Sequence, residues 1–438
     1  MRSRGWIPLD RAVKSLFPAT VWCEVFRRLT SPLPKPALPE RATLLELAFT
    51  VLLWQASVGI FLLSLLQKYL PEELGASAAF PGYAMATYGL AKFVCQTPAG
   101  WLADRIGRRL TLSLGAFLAL PAVLLMMEVR EVHLFLAFSA LYGLSGAAIW
   151  PALMAHVGDT HEPTQRGQAM NKLNIAQLVG LGLGTVVGTF LVDYISYLAA
   201  FIAALSLNGL AFVLTARHVP RHRPAPSTRS TEARDAVGET GGTWTMSIVI
   251  LAAISLFLSL GINFYAPALG AYTHQVLQVE MSQLALMIIA PALVAGLIIS
   301  RAGHLSDRFG RQKPLMVGLA VCALSLFALT KTSSSLLAVN LAVLAGLSYA
   351  VAVPAWSAAA LDAARVGSRG LLLGALAAVQ GLGGVLGQAL GGTVGEAYGP
   401  LAPFRFAAIM LGVALVLTFV HMHHHRLLPI WVSLRERP

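Results

Sequence analysis

Read for hydrophobic and polar positions alone, the chain is a series of apolar runs, each about 20 residues long, separated by short polar breaks. A run of that length crosses roughly 30 Å of hydrocarbon as an α-helix. Twelve are predicted, at 44–66, 79–99, 110–128, 133–155, 168–192, 197–216, 244–267, 282–301, 315–331, 335–360, 370–394 and 403–422. None shows the two-residue alternation of a barrel strand, so the fold class is an all-α polytopic membrane protein. Composition agrees, because 438 residues that are 56% hydrophobic and 12% charged carry too little charge to cover a soluble surface.

The longest internal polar break, 217–243, is rich in Pro, Ser, Thr, Gly and Arg. It reads as a disordered cytoplasmic linker between an N-terminal six-helix bundle at 42–216 and a C-terminal one at 244–425, with a cytoplasmic tail at 426–438. Residues 1–41 lack the apolar core of a signal peptide, being interrupted by Pro8, Asp10, Pro18 and Glu24, and form a basic cytoplasmic extension. Within it Val13, Leu16, Phe17, Val21, Trp22, Val25 and Phe26 recur at helical spacing. That pattern fits an interfacial helix on anionic lipid or, since Pro18 breaks it, an unstructured basic tail.

The net charge of +12 raises the question of a nucleic-acid partner, and the placement of the 32 basic residues answers it. Lys68, Arg130, Lys331 and Arg405 fall on one side of the predicted spans and Lys92 inside one; the others share a side with both termini. The positive-inside rule puts that side in the cytoplasm, so the charge reports topology and no nucleic acid is expected. Cys23, Cys95 and Cys322 have no disulfide or ligand spacing, and the tail "HMHHHR" has no partner cluster, so neither metal nor cofactor is expected. The chain has no G-x-S-x-G, H-E-x-x-H or P-loop, which argues against an enzyme or an ATP-driven pump.

Residues 100–109 read "GWLADRIGRR" and residues 303–312 read "GHLSDRFGRQ". The same shift carries Pro151 to Pro354, Asp159 to Asp362, Arg166 to Arg369, Gln177 to Gln380, Gly184 to Gly387 and Gly188 to Gly391. The chain is therefore a duplicated six-helix unit, and parallel repeats of this kind hold a binding site between the halves near the midplane. The stretch "GLGLGTVVGT" at 180–189 has no preceding strand and reads as small-residue helix packing, with Gly180, Gly184 and Gly188 on one face and Gly383, Gly387 and Gly391 as their mates.

On these residues the chain resembles the major facilitator superfamily of secondary transporters, whose signature G-x-L-a-D-R-x-G-R-[RK] lies between spans two and three. The resemblance covers roughly 42–425 and implies two pseudo-symmetric six-helix bundles. It further implies a conformational latch of Gly100, Asp104, Arg105, Gly107, Arg108 and Arg109, with Asp104 docking at the start of span eleven near Arg369. Gly303, Asp307, Arg308, Gly310 and Arg311 would do the mirror job at span five near Arg166. Gly100 is expected to let the helix end and turn without a Cβ clash. In the antiporter branch span five carries Gly-Pro at its centre and Gly-Gly at its end; Thr185 and Thr189 stand there instead. Ser139 stands where the fourth span often carries arginine.

Lys92 is the one charge deep in a predicted span, where an unpaired ammonium costs about 2.5–3.5 kcal/mol on the insertion scale. It either faces a cavity, where it binds an anionic or carbonyl-bearing group of a substrate or titrates during the cycle, or pairs with a helix carbonyl. Spans that line the cavity in the family contribute Gln55, Tyr88, Gln96, Tyr142, Trp150 and Asn174 from the first half. From that half also comes Gln177, expected to face its mate Gln380 across the pseudo-two-fold, and the second half adds Asn263, Tyr265, Tyr349 and Trp356. The function this implies is secondary transport, by alternating access, of a small amphiphilic or weakly anionic compound, with efflux favoured over uptake. The expected setting is a monomer in the cell (inner) membrane, both termini cytoplasmic, with membrane lipids and a small-molecule or lipid-like substrate as partners. A lipid or lysolipid flippase of the same fold, or a transport-inactive membrane sensor or scaffold, are the alternatives.

Overall fold

The structure, a computed structural model, describes residues 40–160, 166–218, 246–280, 282, 283, 285, 312–363 and 369–435. The expectations on residues 1–39, on most of the 217–243 linker, on span eight beyond its first residues and on Gly303, Asp307, Arg308, Gly310 and Arg311 lie outside the described residues, as do the side chains of Arg166 and Arg369.

Span one runs as Glu40–Ile60, a π-helical turn Phe61–Leu65 and Leu66–Glu73. Spans two to six are Phe80–Ile106, Arg108–Glu128, Val132–Thr160, Arg166–Tyr194 and Tyr197–His218. Span seven is Met246–Phe264, prolonged by the short turns Ala266–Ala268, Leu269–Tyr272 and Thr273–Leu277. Spans nine to twelve are Gln312–Leu329, Ser335–Ala363, Arg369–Tyr398 and Ala402–Arg435. Eight of the described helices are long and apolar enough to cross a membrane, and Lys313–Leu329 is apolar but shorter. Spans two and eleven are not among the eight. The first carries Lys92, Asp104 and Arg105 and the second is rich in glycine, and these two meet across the halves.

One expectation needs correction. Span two continues through Gly100 to Ile106, and the turn is made by Gly107 alone, at φ 96°, a backbone region that a Cβ disfavours. Span twelve is apolar enough to cross a membrane over Ala402–His421, as expected, and its helix runs on to Arg435.

The duplication is repeated in the packing. Span three packs on spans four and six, and span nine on spans ten and twelve. Span five lies on span one, and span eleven on span seven, through the six predicted glycines. A Cβ on Gly180 would sit 2.4 Å from the Leu52 carbonyl oxygen, on Gly184 1.9 Å from that of Ala56, and on Gly188 2.6 Å from Ser64 Oγ. In the second half the corresponding approaches are 2.8 Å from Leu256 O, 2.6 Å from Leu260 O and 1.9 Å from Phe264 O for Gly383, Gly387 and Gly391. Backbone meets backbone, which lipid-solvated helices need because their association rests on close van der Waals contact. Within the first half Ser57 ties three helices together. Its hydroxyl accepts from Tyr142 (2.9 Å) and Asn208 (2.7 Å) and donates to the Ala204 carbonyl (3.1 Å).

The halves meet on the face that carries residues 74–79, 195–196, 278–280 and 399–401, called here the far face; the opposite one, with Gly107 and the central linker, is the linker face. Lys68 stands between Asp193 of its own half (2.9 Å) and Glu280 of the other (3.3 Å). Asp193, with 1% of its side chain exposed, also accepts the Ser282 backbone N–H at 2.8 Å. Glu396 accepts from the Ser77 hydroxyl (2.7 Å) and the Ala79 N–H (3.0 Å), which caps the start of span two. Gln67 donates to the Ala266 carbonyl (3.1 Å) and accepts the Gly270 N–H (3.2 Å). Residues 67 and 270 are 203 apart, the repeat interval, so the pseudo-two-fold axis passes between them. Further in, a Cβ on Gly82 would lie 2.9 Å from Gly392 Cα and one on Gly381 2.5 Å from Phe93 Cδ2, so spans two and eleven stay in contact to mid-depth.

Gly184→Ala has to push span one off span five and should destabilise by about 1–3 kcal/mol, the usual result of overpacking. Gly346→Ala has nothing within 4 Å and should be neutral or gain up to about 1 kcal/mol. Melting curves in detergent decide; equal effects would remove the glycine stripe as the helix contact. Asp193→Asn removes the charge that holds Lys68 and weakens the tie to Ser282. A cysteine at the buried Met85, in a background without native cysteines, should then label several-fold faster with an impermeant reagent from the far face; unchanged labelling would mean that the tie does not hold that face shut.

Candidate functional site

Below the closed far face, span two turns Lys92 into the bundle. Leu90, Val94 and Trp101 are 46%, 57% and 54% exposed and mark the face of this helix that meets lipid. At about 100° per residue, Lys92 lies roughly 200° from both Leu90 and Val94. Its stem runs past Gly146 of span four. A Cβ on Gly146 would lie 3.6 Å from Lys92 Cδ, 3.4 Å from the Tyr88 hydroxyl and 3.2 Å from Trp54 Cζ2. Gly143, one turn earlier, lets the two backbones touch: a Cβ there would be 2.1 Å from the Tyr88 carbonyl oxygen. Span four therefore carries two glycines where span two has to come close enough to bring three large side chains together.

Those three side chains offer an ammonium, an indole N–H and a phenol hydroxyl, a donor-rich set in which the phenol oxygen alone can accept. Trp54 Cζ2 belongs to the same edge of the indole as Nε1–H, and that N–H is buried with no acceptor. Among the described residues none accepts from the Lys92 ammonium or the Tyr88 hydroxyl either. The Tyr88 ring is fixed by Phe61 and Tyr142, at centroid distances of 6.3 and 5.7 Å. Trp54 also lines a narrow apolar pocket with Val51, Leu112, Ile149 and Leu153, so the donors border an apolar wall. Leaving a buried N–H unpaired costs about 1–3 kcal/mol and an intramembrane ammonium about 2.5–3.5 kcal/mol, both of which an acceptor-rich ligand group would offset.

The second half presents amides. Asn263 donates to the Ser259 carbonyl (2.8 Å) and accepts from Gln388 Nε2 (3.2 Å), while the Ser259 hydroxyl donates to the Gln380 carbonyl (2.7 Å). The Ser259 carbonyl requires a donor, which fixes the orientation of both amides and leaves Gln388 Oε1 buried without a partner, 3.2 Å from where a Gly89 Cβ would be.

The other predicted lining residues scatter. Tyr142 is fully buried, its hydroxyl given to Ser57, and belongs to the interior of the first half, where its ring packs on Phe61 and Tyr88. Gln55 and Trp356 are buried, and Asn174 is exposed. Gln96, Trp150, Gln177, Tyr265, Tyr349 and Gln380 are half-buried; Tyr265 stacks on Phe404 at 5.4 Å, and no hydrogen bond joins Gln177 to Gln380 among the described residues. Trp54, Ser57, Asn208 and Gln388 were not predicted. Gln388 is a polar residue in an apolar span, the same signal that marked Gln380; Trp54 has no such signal, since an indole suits any apolar helix.

At the linker face Asp104 is 67% exposed and pairs with Arg108 one turn on. Arg109 donates to the Ala216 carbonyl at the end of span six, and Arg105 lies 4.0 Å over the Trp101 ring. Arg109 thus pins the Gly107 turn to a closing carbonyl of a neighbouring helix, a favourable site for a cation.

The profile of the Major Facilitator Superfamily matches residues 47–301 and 249–431. A Mycobacterium tuberculosis protein named multidrug resistance protein B homolog is 26% identical over 324 residues, covering 62% of this chain and 60% of that protein. The Salmonella arizonae multidrug resistance protein MdtG is 26% identical over 276 residues, covering 60% and 67%. Among solved structures, a bacterial homologue of the human lysosomal transporter Spinster superposes with a TM-score of 0.73 at 15% identity, covering 89% of this chain and 98% of that one. The nucleoside transporter NupG gives a TM-score of 0.69 at 15% identity, covering 87% and 98%. With a family profile matching nearly all of its helical part and a duplicated helical fold shared with solved transporters, the chain belongs to the Major Facilitator Superfamily of secondary transporters.

Proposed function

We propose that the protein moves a small amphiphilic anion across the membrane, and that Lys92, Tyr88 and Trp54 hold its charged end. The observation that carries this reading is the meeting of Lys92, Tyr88 and the unpaired Trp54 N–H beside Gly146, with no carboxylate among the described residues there. A cation between helices, shielded from water, attracts a carboxylate, sulfonate or phosphate more strongly than it would in solution, and the neighbouring apolar wall suits an attached hydrocarbon or ring. The polar side chains across from it on spans seven and eleven, Asn263 and Gln388, are uncharged amides, which favours a compound with one compact charge over a multiply charged metabolite.

The far face is taken as the outer side, since the basic residues concentrate on the linker face. With the far face closed to mid-depth, the cavity then faces the cytoplasm. Asp104 pairs with Arg108 in this arrangement and would dock on span eleven when the cytoplasmic side closes, sharing the charge of Arg369 and the start of that helix. The relatives are named multidrug resistance proteins, which supports export of varied amphiphiles over uptake of a single nutrient.

Uptake of a fluorescent naphthalene sulfonate into proteoliposomes tests the reading. Lys92→Gln and Lys92→Ala should each lower it at least about tenfold, the effect of 1.4 kcal/mol, with unchanged melting curves, while Lys92→Arg keeps sulfonate exchange. Full uptake by Lys92→Ala would take the lysine out of the site. For the latch, Asp104→Asn should lower the fraction of molecules open on the far face, read as slower labelling of a far-face cysteine; no change would dismiss Asp104 as a docking group.

A further inference from the structure

The anion site has a consequence for coupling, which rests on the reading just given. A secondary transporter has to return its site across the membrane, and at that moment whatever charge the site holds goes with it. Around Lys92 the described residues offer no carboxylate to neutralise it: the titratable group beside it on span two is the Tyr88 phenol, with the Tyr142 phenol of span four behind that, and Trp54 and Gly146 complete the contact. Span eleven adds Gly381 against Phe93 and the Gln388 amide against Gly89. Two forms of the site are therefore free of net charge: the empty site with Lys92 as a neutral amine, and the loaded site with an ammonium paired to a monovalent anion. The empty ammonium and the anion beside a neutral amine each carry an unpaired charge into a water-poor enclosure.

We propose that Lys92 is the proton carrier of this transporter, so that each monovalent anion crosses with one proton. The amine takes a proton from the solution that the cavity faces, the ammonium binds the anion, both are released on the other side, and the amine returns empty. The cycle moves no net charge and is indifferent to membrane potential. Export by this route runs on the accumulation of the anion inside and is slowed by acid outside.

Proteoliposomes containing the full chain and a pH dye in the lumen, clamped at zero potential with potassium and valinomycin, give the test. The naphthalene sulfonate is the probe, because a strong acid does not leak through the bilayer as a neutral species. Sulfonate entry should acidify the lumen with about one proton per sulfonate, and imposing a potential should leave the initial rate unchanged. Arginine keeps its charge, so Lys92→Arg should keep exchange of labelled for unlabelled sulfonate, where the site never returns empty, while net uptake falls at least tenfold. Uptake without acidification, or net uptake by Lys92→Arg equal to the natural protein, would overturn the proton assignment and leave the anion site standing. Uptake of a cationic or neutral analogue in place of the sulfonate would overturn the anion reading itself.

Discussion

Hydrocarbon supplies no hydrogen bonds, so every polar group within the spans must find its partner in the chain or in a ligand. Much of the structure answers that constraint. Ser57, Tyr142 and Asn208 satisfy one another between spans one, four and six, and serine and threonine hydroxyls repeatedly turn back onto their own helices, as Thr185 does onto Leu181 O at 2.8 Å. The few groups left unanswered then become informative. Lys92, Tyr88 and Trp54 gather at one point with no carboxylate among the described residues beside them, and Trp54 Nε1 and, between spans two and eleven, Gln388 Oε1 are buried unpaired.

The same constraint shapes the two ways in which helices touch. Inside each half, glycine rows bring the backbones of spans one and five, and of seven and eleven, into contact. Between the halves the far-face contacts are ionic and reversible: Lys68 is shared by Asp193 and Glu280, and Glu396 reaches across to the start of span two. A contact of carboxylates with N–H groups and an ammonium can be exchanged for water when the halves part, whereas a backbone-to-backbone seam cannot be opened without exposing bare helix. The unpaired Gln388 Oε1 is a cost of this arrangement.

The sequence carried the architecture because span length and the 203-residue repeat are properties of single helices and their order. The glycine rows were legible for the same reason, since four-residue spacing puts them on one face whatever the partner. The site was legible only in part. Lys92 stood out as a charge in an apolar run, but its companions depend on which faces of spans one and four turn towards it, and nothing local to Trp54 or Gly146 records that. Tyr142 shows the opposite error: it sits in a helix that lines cavities in this family and yet turns its hydroxyl into the half that owns it. Gly100 was assigned the turn that Gly107 makes, because a helix rich in good formers continues until a residue at positive φ stops it.

The central claim is that the donors beside Gly146 form an anion site. Its most direct test is binding to the purified protein of three naphthalene compounds matched in size, one a sulfonate, one a neutral sulfonamide and one a quaternary ammonium, read as melting-temperature shifts. The sulfonate should raise the melting temperature of the natural protein and not of Lys92→Gln, with little effect from the other two. A larger shift with the quaternary ammonium, or a sulfonate shift that survives in Lys92→Gln, would contradict it.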